Sequence, residues 1–246
     1  MTRLNEKVVL ITGASKGIGA AVARAAADAG AQVIVNYSSD STAAAAVVKA
    51  ITDRGGDAIA IKADVSDPRE VMLLFDRSIA HFGRIDILIN NAGVVVCKLI
   101  KDTTDEDFDR LFDVNVKGTF NTLREAATRL APNGSVINFS TSVNRMILPT
   151  YAIYAASKSA VEQLTRIFAK EVGPRGINVN SLSPGPTNTE FFRIGKTDEQ
   201  ISRIAAFSAF NRIAEPADIV RIALFLASDD AKWISAQNIG ANGAMA

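Results

Sequence analysis

Hydrophobic and polar positions along the chain follow two alternating patterns. Short apolar runs are separated by longer segments in which apolar residues recur every three or four positions. Short continuous apolar runs are typical of strands that are buried on both faces, whereas the longer period is that of an amphipathic helix. The pattern predicts strands over residues 7–12, 32–36, 58–62, 85–89, 135–139, 177–182 and 237–241.

Helices are predicted between these strands. Ser41, with Asp40 beside it, is expected to cap the second helix, and Pro68 is suited to the first position of the third. Strands that alternate with helices indicate βαβ units, and therefore a doubly wound, parallel α/β sheet of about seven strands with helices on both faces. No linker or change of composition divides residues 1–246, so we expect a single domain. The helical pattern covers residues 17–29, 41–54, 67–82, 105–130, 152–172, 190–206 and 216–227.

Composition excludes several classes of function. The 246 residues include 27 basic and 26 acidic side chains, for a net charge of +1, so we expect no nucleic-acid or membrane-surface binding. Cys97 is the only cysteine and His81 the only histidine, which leaves no basis for a disulfide, a metal site or a histidine-dependent triad. No apolar run is long enough for a signal peptide, and we therefore expect a cytoplasmic protein.

A glycine-rich loop follows the first predicted strand and opens the first helix. Its candidate cofactor-binding residues are Gly13, Ser15, Lys16, Gly17, Ile18 and Gly19. Glycine permits a sharp turn and a close approach to pyrophosphate, and the helix N-terminus offers free N–H groups to the phosphates. The spacing is G-x-x-x-G-x-G, and an ordinary glycine turn is the alternative. The position between strand and helix favours the dinucleotide site of a Rossmann fold.

The end of the second predicted strand bears on the choice of nicotinamide. An acidic residue there would bind a ribose 2′-hydroxyl and repel a 2′-phosphate. The chain instead has Asn36, Tyr37, Ser38 and Ser39, and Lys16 adds a positive charge in the glycine loop. These residues favour NADP(H) over NAD(H), although no arginine is present to strengthen the preference.

Tyr154 and Lys158 are the main candidates for catalysis. They are four residues apart at the start of a predicted helix, which places a phenol and an ammonium on one face. A nearby cation favours the phenolate, so we expect Lys158 to lower the pKa of Tyr154 from its usual value near 10. Such a pair next to a dinucleotide loop indicates hydride transfer to or from a carbonyl or alcohol. An interface tyrosine is the alternative.

Six ordered motifs give the chain a resemblance to the short-chain dehydrogenase/reductase family, nearly from end to end. Among its members, the chain resembles most the bacterial 3-oxoacyl-carrier-protein reductases and general carbonyl reductases. The motifs are Thr12-Gly13-Ala14-Ser15-Lys16-Gly17-Ile18-Gly19, Asp64-Val65, Asn90-Asn91-Ala92-Gly93, Asn115-Val116-Lys117-Gly118, Tyr154-Ala155-Ala156-Ser157-Lys158 and Pro184-Gly185-Pro186-Thr187.

The resemblance implies a role for each motif. Tyr154 would be the general acid/base, Lys158 would bind the nicotinamide ribose, and Asn115 would hold a water connected to the lysine, unless it is a buried structural amide. Asp64 and the Val65 backbone would meet the adenine. Further cofactor contacts would come from Asn90, Ala92, Gly93, Pro184, Gly185, Thr187 and Thr189.

The chain departs from the family pattern after the fifth predicted strand. The family places a catalytic serine thirteen residues before the tyrosine, and this chain has Thr141 there, followed by Ser142. A threonine hydroxyl can donate the same hydrogen bond, but its methyl group restricts the side chain. We expect Ser142 to hold the substrate oxygen, with Thr141 as the alternative. The chain also lacks the family's usual Asp-Gly-Gly after the last strand, where subunits pack.

The sequence therefore predicts an NAD(P)-dependent enzyme that reduces a ketone, an aldehyde or a 3-oxoacyl group. An NAD-dependent alcohol dehydrogenase working in the oxidative direction and a non-catalytic nucleotide sensor of the same fold are the alternatives. Apolar residues in a lid at about residues 189–213 favour a hydrophobic or acyl substrate, which could be carrier-bound. The resemblance implies a homotetramer or homodimer built on the helices at 105–130 and 152–172.

Overall fold

The computed structural model describes residues 3–246, apart from the side chain of Phe191; residues 1 and 2 of the predicted domain lie outside it. Seven parallel strands form one sheet in the order β3-β2-β1-β4-β5-β6-β7. The doubly wound parallel sheet predicted from the sequence is confirmed. The strands are β1 (Val8–Ile11), β2 (Gln32–Tyr37), β3 (Asp57–Lys62), β4 (Ile87–Asn90), β5 (Ser135–Phe139), β6 (Asn178–Pro184) and β7 (Asn238–Ala241).

Helices connect the strands and cover both faces of the sheet. No helix among residues 3–246 combines the length and the apolar character needed to cross a membrane. The helices are α1 (Gly17–Asp28), α2 (Ser41–Thr52), α3 (Pro68–Phe82), α4 (Asp105–Phe112), α5 (Gly118–Arg129), α6 (Val143–Met146), α7 (Ala152–Val172), α8 (Glu190–Arg193), α9 (Asp198–Ala205) and α10 (Pro216–Ala227).

The two faces of the sheet carry separate hydrophobic cores, which explains why the strands read as continuous apolar runs. Successive strand residues point to opposite faces, so Val9 and Ile11 join the core under α1, α2 and α10. Val8 and Leu10 join the core under α3, α5 and α7. All four of these β1 side chains are buried.

The order of the strands reverses at β1, which pairs with β2 on one side and with β4 on the other. Ligands of open α/β sheets bind at such a switch point, outside the carboxyl ends of the strands. The glycine loop after β1 and the segment from Asn90 to Gly93 after β4 therefore meet at this edge.

Four details differ from the sequence-based expectations. The helix predicted over 105–130 is two helices, joined by a wider π-helical turn at Asp113–Lys117. The helix predicted over 190–206 is also two, α8 and α9. Asp40, rather than Ser41, is the N-cap of α2, because its carboxylate accepts a hydrogen bond from Ala43 N at 2.9 Å. The short helix α6 was not expected.

Candidate functional site

The glycine loop is built so that the backbone itself forms a cradle. Gly13 and Gly17 have φ values of +60° and +55°, which side-chain-bearing residues rarely adopt. A Cβ atom on Gly13 would lie 2.9 Å from the Ala92 backbone, and one on Gly19 would lie 2.5 Å from Asn91 Nδ2. The glycines therefore let the loop pack closely against the segment after β4, and a glycine turn at the N-terminus of α1 fits a dinucleotide pyrophosphate.

Thr12 and Asn91 lock the ends of β1 and β4 together. Thr12 Oγ1 accepts hydrogen bonds from Asn91 N and Ala92 N, each at 3.0 Å. Asn91 Nδ2 donates to the carbonyls of Thr12 and Gly13, also at 3.0 Å. Sequence reasoning did not identify these two side chains as part of the site, although both stand inside motifs that it used. They hold the cradle in shape.

The side chain of Asn36 is buried under the glycine loop and forms hydrogen bonds within the protein. It is 1% exposed. Its Oδ1 accepts from Gly13 N at 3.3 Å, while its Nδ2 donates to the carbonyls of Ile61 and Ala63. Because both polar atoms of the amide are bonded within the protein, the Asn36 side chain fixes the position of Gly13, and its expected contact with the cofactor stays a prediction.

The other residues near the predicted 2′-phosphate position remain accessible. Ser38 and Ser39 are exposed and Tyr37 is half-buried. Lys16 is exposed as well, but its Nζ lies 2.7 Å from Asp40 Oδ2, and this ion pair raises the pKa of Lys16 and lowers that of Asp40. The lysine therefore reaches this corner of the site as one partner of a pair and not as an isolated charge.

The predicted adenine position lies after β3. Asp64 is exposed, and its Oδ1 accepts hydrogen bonds from Ser66 N and Ser66 Oγ at 2.9 and 2.8 Å. Val65 is buried beside it. The Asp64 carboxylate is thus oriented by its neighbour while its second oxygen is available to accept from an amino group. In the loop itself, Ser15 and Ile18 are half-buried.

The Asn90 side chain points into the protein, where it is 5% exposed. Its Nδ2 donates to Asn138 Oδ1 at 2.8 Å, and its Oδ1 accepts from Thr122 Oγ1 at 2.8 Å. Only its backbone is left for the ligand contact expected of this position. Ala92 is half-buried, and Gly93 is exposed at the surface of the crevice.

Asn115 lies in the π-helical turn, where Gly118 N–H donates to the Asp113 carbonyl. π-Helical turns occur frequently at functional sites. The side chain is fully buried: Oδ1 accepts from Val94 N at 2.8 Å, and Nδ2 donates to Val94 O at 2.9 Å and to Ser157 Oγ at 3.1 Å. The amide thus ties the segment after β4 to α7.

Lys158 lies under the crevice on α7 and is 5% exposed. Its Nζ donates to the Phe139 carbonyl at 2.8 Å, and burial lowers the pKa of this lysine to about 8. A Cβ atom on Gly93 would be 3.3 Å from Lys158 Nζ and 3.1 Å from Asn115 Oδ1. The absence of a side chain at Gly93 therefore leaves room for both polar groups directly beneath this position.

Tyr154 is half-buried on α7, one turn before Lys158. Burial raises the pKa of Tyr154, and a hydrogen bond with the Thr141 side chain opposes that shift. The expectation that Lys158 lowers the pKa is not met in this structure, because desolvation of the phenolate outweighs the favourable contacts. The phenol is therefore held in its protonated form at neutral pH.

The two candidate hydroxyls after β5 point in different directions. The Thr141 side chain lies close enough to Tyr154 to oppose the rise in the pKa of the phenol, and its Oγ1 accepts a hydrogen bond from Val143 N at 3.3 Å. Ser142 is 2% exposed, and its Oγ donates to the Ser183 carbonyl at 3.1 Å. The Ser142 hydroxyl is thus bonded to β6, whereas the Thr141 side chain acts on the tyrosine; which of the two holds the substrate oxygen stays a prediction.

The segment after β6 runs along the other side of the crevice. Pro184 O accepts from Ser142 N at 3.0 Å, and Gly185 N donates to Ala241 O at 2.9 Å. The buried Thr187 donates to the Gly185 carbonyl at 2.9 Å. Thr189 caps α8, and its Cγ2 would lie 3.7 Å from a Cβ atom on Gly17. The start of the segment at 189–213 thus lies beside the glycine loop.

Two side chains stand at the mouth of the site, next to Tyr154. The ring centroids of Tyr151 and Tyr154 are 6.2 Å apart. Burial and a hydrogen bond with the Cys97 side chain raise the pKa of Tyr151 to about 12. Lys98 N donates to Thr150 O at 2.9 Å, which joins the two segments that carry this pair. Tyr151 and Cys97 are therefore positioned to meet whatever approaches Tyr154.

A cavity of about 400 Å³ lies on the far side of the Gly185 segment, between α10 and the segment after β7. Its walls include Pro186, Phe210, Ile219 and Met245, and neither Tyr154 nor Lys158 lines it. We therefore locate the candidate site by the side chains that meet in the crevice and not by the size of this cavity.

Known proteins are similar to this chain over nearly its full length. The family model described as Enoyl-(Acyl carrier protein) reductase matches residues 13–245. A versicolorin reductase of Emericella nidulans is 42% identical over 253 residues, which cover 98% of this chain and 96% of the relative.

Two solved structures superimpose on nearly the full length. The angucycline C-6 ketoreductase LanV with bound NADP has a TM-score of 0.93 and 38% identity, over 99% of this chain and 96% of that one. A short chain dehydrogenase from Burkholderia cenocepacia in complex with NADP has a TM-score of 0.93 and 32% identity, over 99% of both chains.

Proposed function

Because the chain belongs to the short-chain dehydrogenase/reductase family and is an NAD(P)-dependent oxidoreductase, we propose that it reduces the carbonyl of an apolar ketone, aldehyde or 3-oxoacyl group to an alcohol. The observation that carries the proposal is the convergence of Tyr154, Thr141, Lys158 and Asn115 at the edge of the sheet where the glycine cradle opens. A bound nicotinamide would supply the hydride.

Tyr154 gives the substrate oxygen its proton. Its raised pKa keeps the phenol protonated at neutral pH, which is the form that a general acid needs. The Thr141 hydroxyl, whose side chain acts on Tyr154, donates a second hydrogen bond to the same oxygen. A donor aimed at developing negative charge typically contributes a factor of about 10²–10³ to kcat.

Lys158 and Asn115 bind the ribose and return protons to Tyr154. Lys158 Nζ lies beneath Gly93, where it can bind ribose hydroxyls and pass a proton toward Tyr154. Its pKa of about 8 means that it gains and loses a proton readily near neutral pH. Asn115 fixes Val94 and Ser157 around the lysine, and we propose that it contributes to the path by which protons return to the site.

We propose that the cofactor is bound by the glycine loop, by Tyr37, Ser38 and Ser39, and by Asp64 with the Val65 backbone. The backbones of Asn90, Ala92, Gly93 and Pro184 to Thr189 complete the set. We propose a preference for NADP(H), which is supported by the lack of a carboxylate directly after β2 and by the NADP in two structural relatives. Asp40 moderates the preference because it already pairs with Lys16.

The substrate class follows from the mouth of the site. Tyr151 and Cys97 face the approach to Tyr154, and Leu99 and Ile147 near them are 45% and 88% exposed. Apolar surface of this kind favours a hydrophobic substrate. A versicolorin reductase and an angucycline C-6 ketoreductase among the relatives support a ketone as the substrate. A carrier-bound 3-oxoacyl group remains the alternative.

We further propose that residues 1–246 form one cytoplasmic domain in which the segment 189–213 closes over the substrate as a lid. A homotetramer or homodimer is supported by exposed apolar side chains on α4, α5 and α7. Phe108, Phe120 and Ile167 are 43%, 46% and 52% exposed, and a second copy would cover them. Light scattering tests this, since a monomer at micromolar concentration would contradict it.

The test of the function is an assay of NADPH oxidation with a panel of ketones, aldehydes and a carrier-bound 3-oxoacyl substrate. We expect turnover with an apolar ketone, and a higher kcat/KM with NADPH than with NADH. Binding of NADPH without turnover of any substrate would favour the non-catalytic alternative. Faster oxidation of alcohols with NAD would favour the dehydrogenase alternative.

A further inference from the structure

Three consecutive hydroxyl side chains after β5 have three different partners. Ser140 Oγ donates to Glu162 Oε1 at 2.7 Å, Thr141 Oγ1 accepts from Val143 N at 3.3 Å on the side where Tyr154 feels it, and Ser142 Oγ donates to Ser183 O at 3.1 Å. A shift of the loop by one residue would exchange these partners. The position of this hydroxyl loop, residues 140–144, therefore decides which hydroxyl serves the tyrosine.

β6 holds one side of the hydroxyl loop through the backbone. Ser140 N donates to Leu182 O at 2.8 Å, and Ser142 N donates to Pro184 O at 3.0 Å. These two bonds fix the position of the loop backbone relative to the end of β6. They do not touch the side of the loop that faces α7, which carries Tyr154 and Lys158.

Glu162 holds that second side. It lies on α7 one turn after Lys158 and two turns after Tyr154, and it is half-buried. Its Oε1 accepts from Ser140 Oγ at 2.7 Å and from Asn144 Nδ2 at 2.8 Å, so one carboxylate joins both ends of the hydroxyl loop. Hydrogen bonds to a charged group are stronger than neutral ones.

The orientation of Asn144 depends on this bond. Its Oδ1 is buried and has no hydrogen-bond partner among residues 3–246. Its Nδ2 also lies 3.4 Å from Ser140 Oγ, which makes a closed cluster of three side chains. The carboxylate is the acceptor at the centre of the cluster, and without it the Ser140 hydroxyl and the Asn144 amide would lose their shared partner.

We propose that Glu162 is a positioning residue that fixes the hydroxyl loop against α7, so that Thr141 and not Ser142 faces Tyr154. The inference rests on the proposed function for its kinetic consequence. Its structural consequence, the contact between Thr141 and Tyr154, stands without it. A displacement of about 1 Å in a catalytic group can cost about 100-fold in rate, so a residue that never touches the substrate can control turnover.

The experiment compares Glu162→Ala with Glu162→Gln, whose amide oxygen can still accept both hydrogen bonds. Glu171→Ala, an exposed position on the same helix, is the matched control. In steady-state assays with NADPH and a ketone, we expect Glu162→Ala to lower kcat about tenfold or more. The KM for NADPH should stay unchanged, because the cradle is not touched. Glu162→Gln should restore most of the activity.

A second readout does not depend on turnover. With ¹³Cζ-labelled tyrosine, the Tyr154 resonance can be assigned by its loss in Tyr154→Phe among the three tyrosines of the chain. We expect it to move in Glu162→Ala, to return in Glu162→Gln and to stay in place in Glu171→Ala. If Glu162→Ala does not fold, Asn144→Ala removes a donor from the loop side and should move the same resonance.

The outcomes separate the two proposals. An unmoved Tyr154 resonance together with wild-type kcat in Glu162→Ala would overturn the positioning role. A Glu162→Gln variant as impaired as Glu162→Ala would also overturn it, because the acceptor would then not be what matters. A wild-type protein that turns over no carbonyl would contradict the proposed function, while the resonance would still decide the role of Glu162.

Discussion

Thr141 and Ser142 offer a matched test of which hydroxyl takes part in the reaction. Thr141→Val removes the hydroxyl and keeps the branched shape, and Ser142→Ala removes the neighbouring hydroxyl. Each change deletes one hydrogen bond to the backbone, and the two are of similar length: Val143 N to Thr141 Oγ1 at 3.3 Å, and Ser142 Oγ to Ser183 O at 3.1 Å. The two variants should therefore lose similar stability, about 0.5–1.5 kcal/mol each.

Their activities should differ widely. The Thr141 side chain acts on Tyr154 while the Ser142 hydroxyl is bonded to Ser183 O, so we expect only Thr141→Val to lose a donor to the substrate oxygen. Removal of one such donor typically lowers kcat by about 10²–10³, or about 3–4 kcal/mol of transition-state stabilisation. Ser142→Ala should keep kcat within about threefold of the wild type, because its cost falls on folding.

The assay is steady-state NADPH oxidation with the best ketone of the panel, combined with denaturant unfolding of each variant. Thr141→Ser, which keeps the hydroxyl, is the control and should retain most of the activity. A Ser142→Ala variant with a 100-fold lower kcat, beside an active Thr141→Val, would refute the reasoning and restore the serine expected from the sequence.

Three further predictions concern the cradle, the cofactor preference and the buried lysine. Gly19→Ala should weaken NADPH binding about tenfold or more in titration calorimetry, because its Cβ would lie 2.5 Å from Asn91 Nδ2; an unchanged Kd would contradict this. Lys16→Ala should raise the KM for NADPH by about threefold to tenfold and leave that for NADH unchanged, whereas equal effects would argue against a 2′-phosphate contact. Burial lowers the pKa of Lys158 from 10.5 to about 8, so the folded state holds this proton less tightly than the unfolded state and the cost to stability is full below about pH 8. Lys158→Met should therefore be inactive yet more stable than the wild type at neutral pH, by up to about 3 kcal/mol. The difference should shrink as the pH rises toward 10.5, and a less stable variant in denaturant unfolding would oppose the prediction.

The sheet and most helices could be predicted from the sequence because each strand is buried on both faces and each helix on one. The apolar runs then report burial directly, as in the strand Ser135–Phe139 and the helix Ala152–Val172, whose predicted bounds match the structure. The π-helical turn at Asp113–Lys117 could not be predicted. It widens the helix by one residue per turn without changing which residues are apolar.

The glycine cradle was predictable because the backbone there has requirements that only glycine meets. The role of Asn36 was not, since an amide reads the same in a sequence whether it faces a ligand or the protein. Its three bonds to Gly13, Ile61 and Ala63 depend on how β2 and β3 are placed around the loop.

The same limit applies to the residues around the tyrosine. Spacing alone left Thr141 and Ser142 as alternatives, because the choice depends on Glu162, about twenty residues later, and on β6. Spacing also could not give the direction of the Tyr154 pKa shift. The spacing shows that Lys158 is one helical turn from Tyr154. It does not show that Lys158 donates a hydrogen bond to Phe139 O, or that burial disfavours the phenolate of Tyr154.

The most direct test of the account is the Tyr154→Phe variant, with kcat and the Kd for NADPH measured on the same preparation. The variant keeps the ring and loses only the proton donor. We predict a loss of about 10²–10⁴ in kcat with a Kd close to that of the wild type. Turnover near the wild-type rate would contradict the claim that this phenol protonates the substrate.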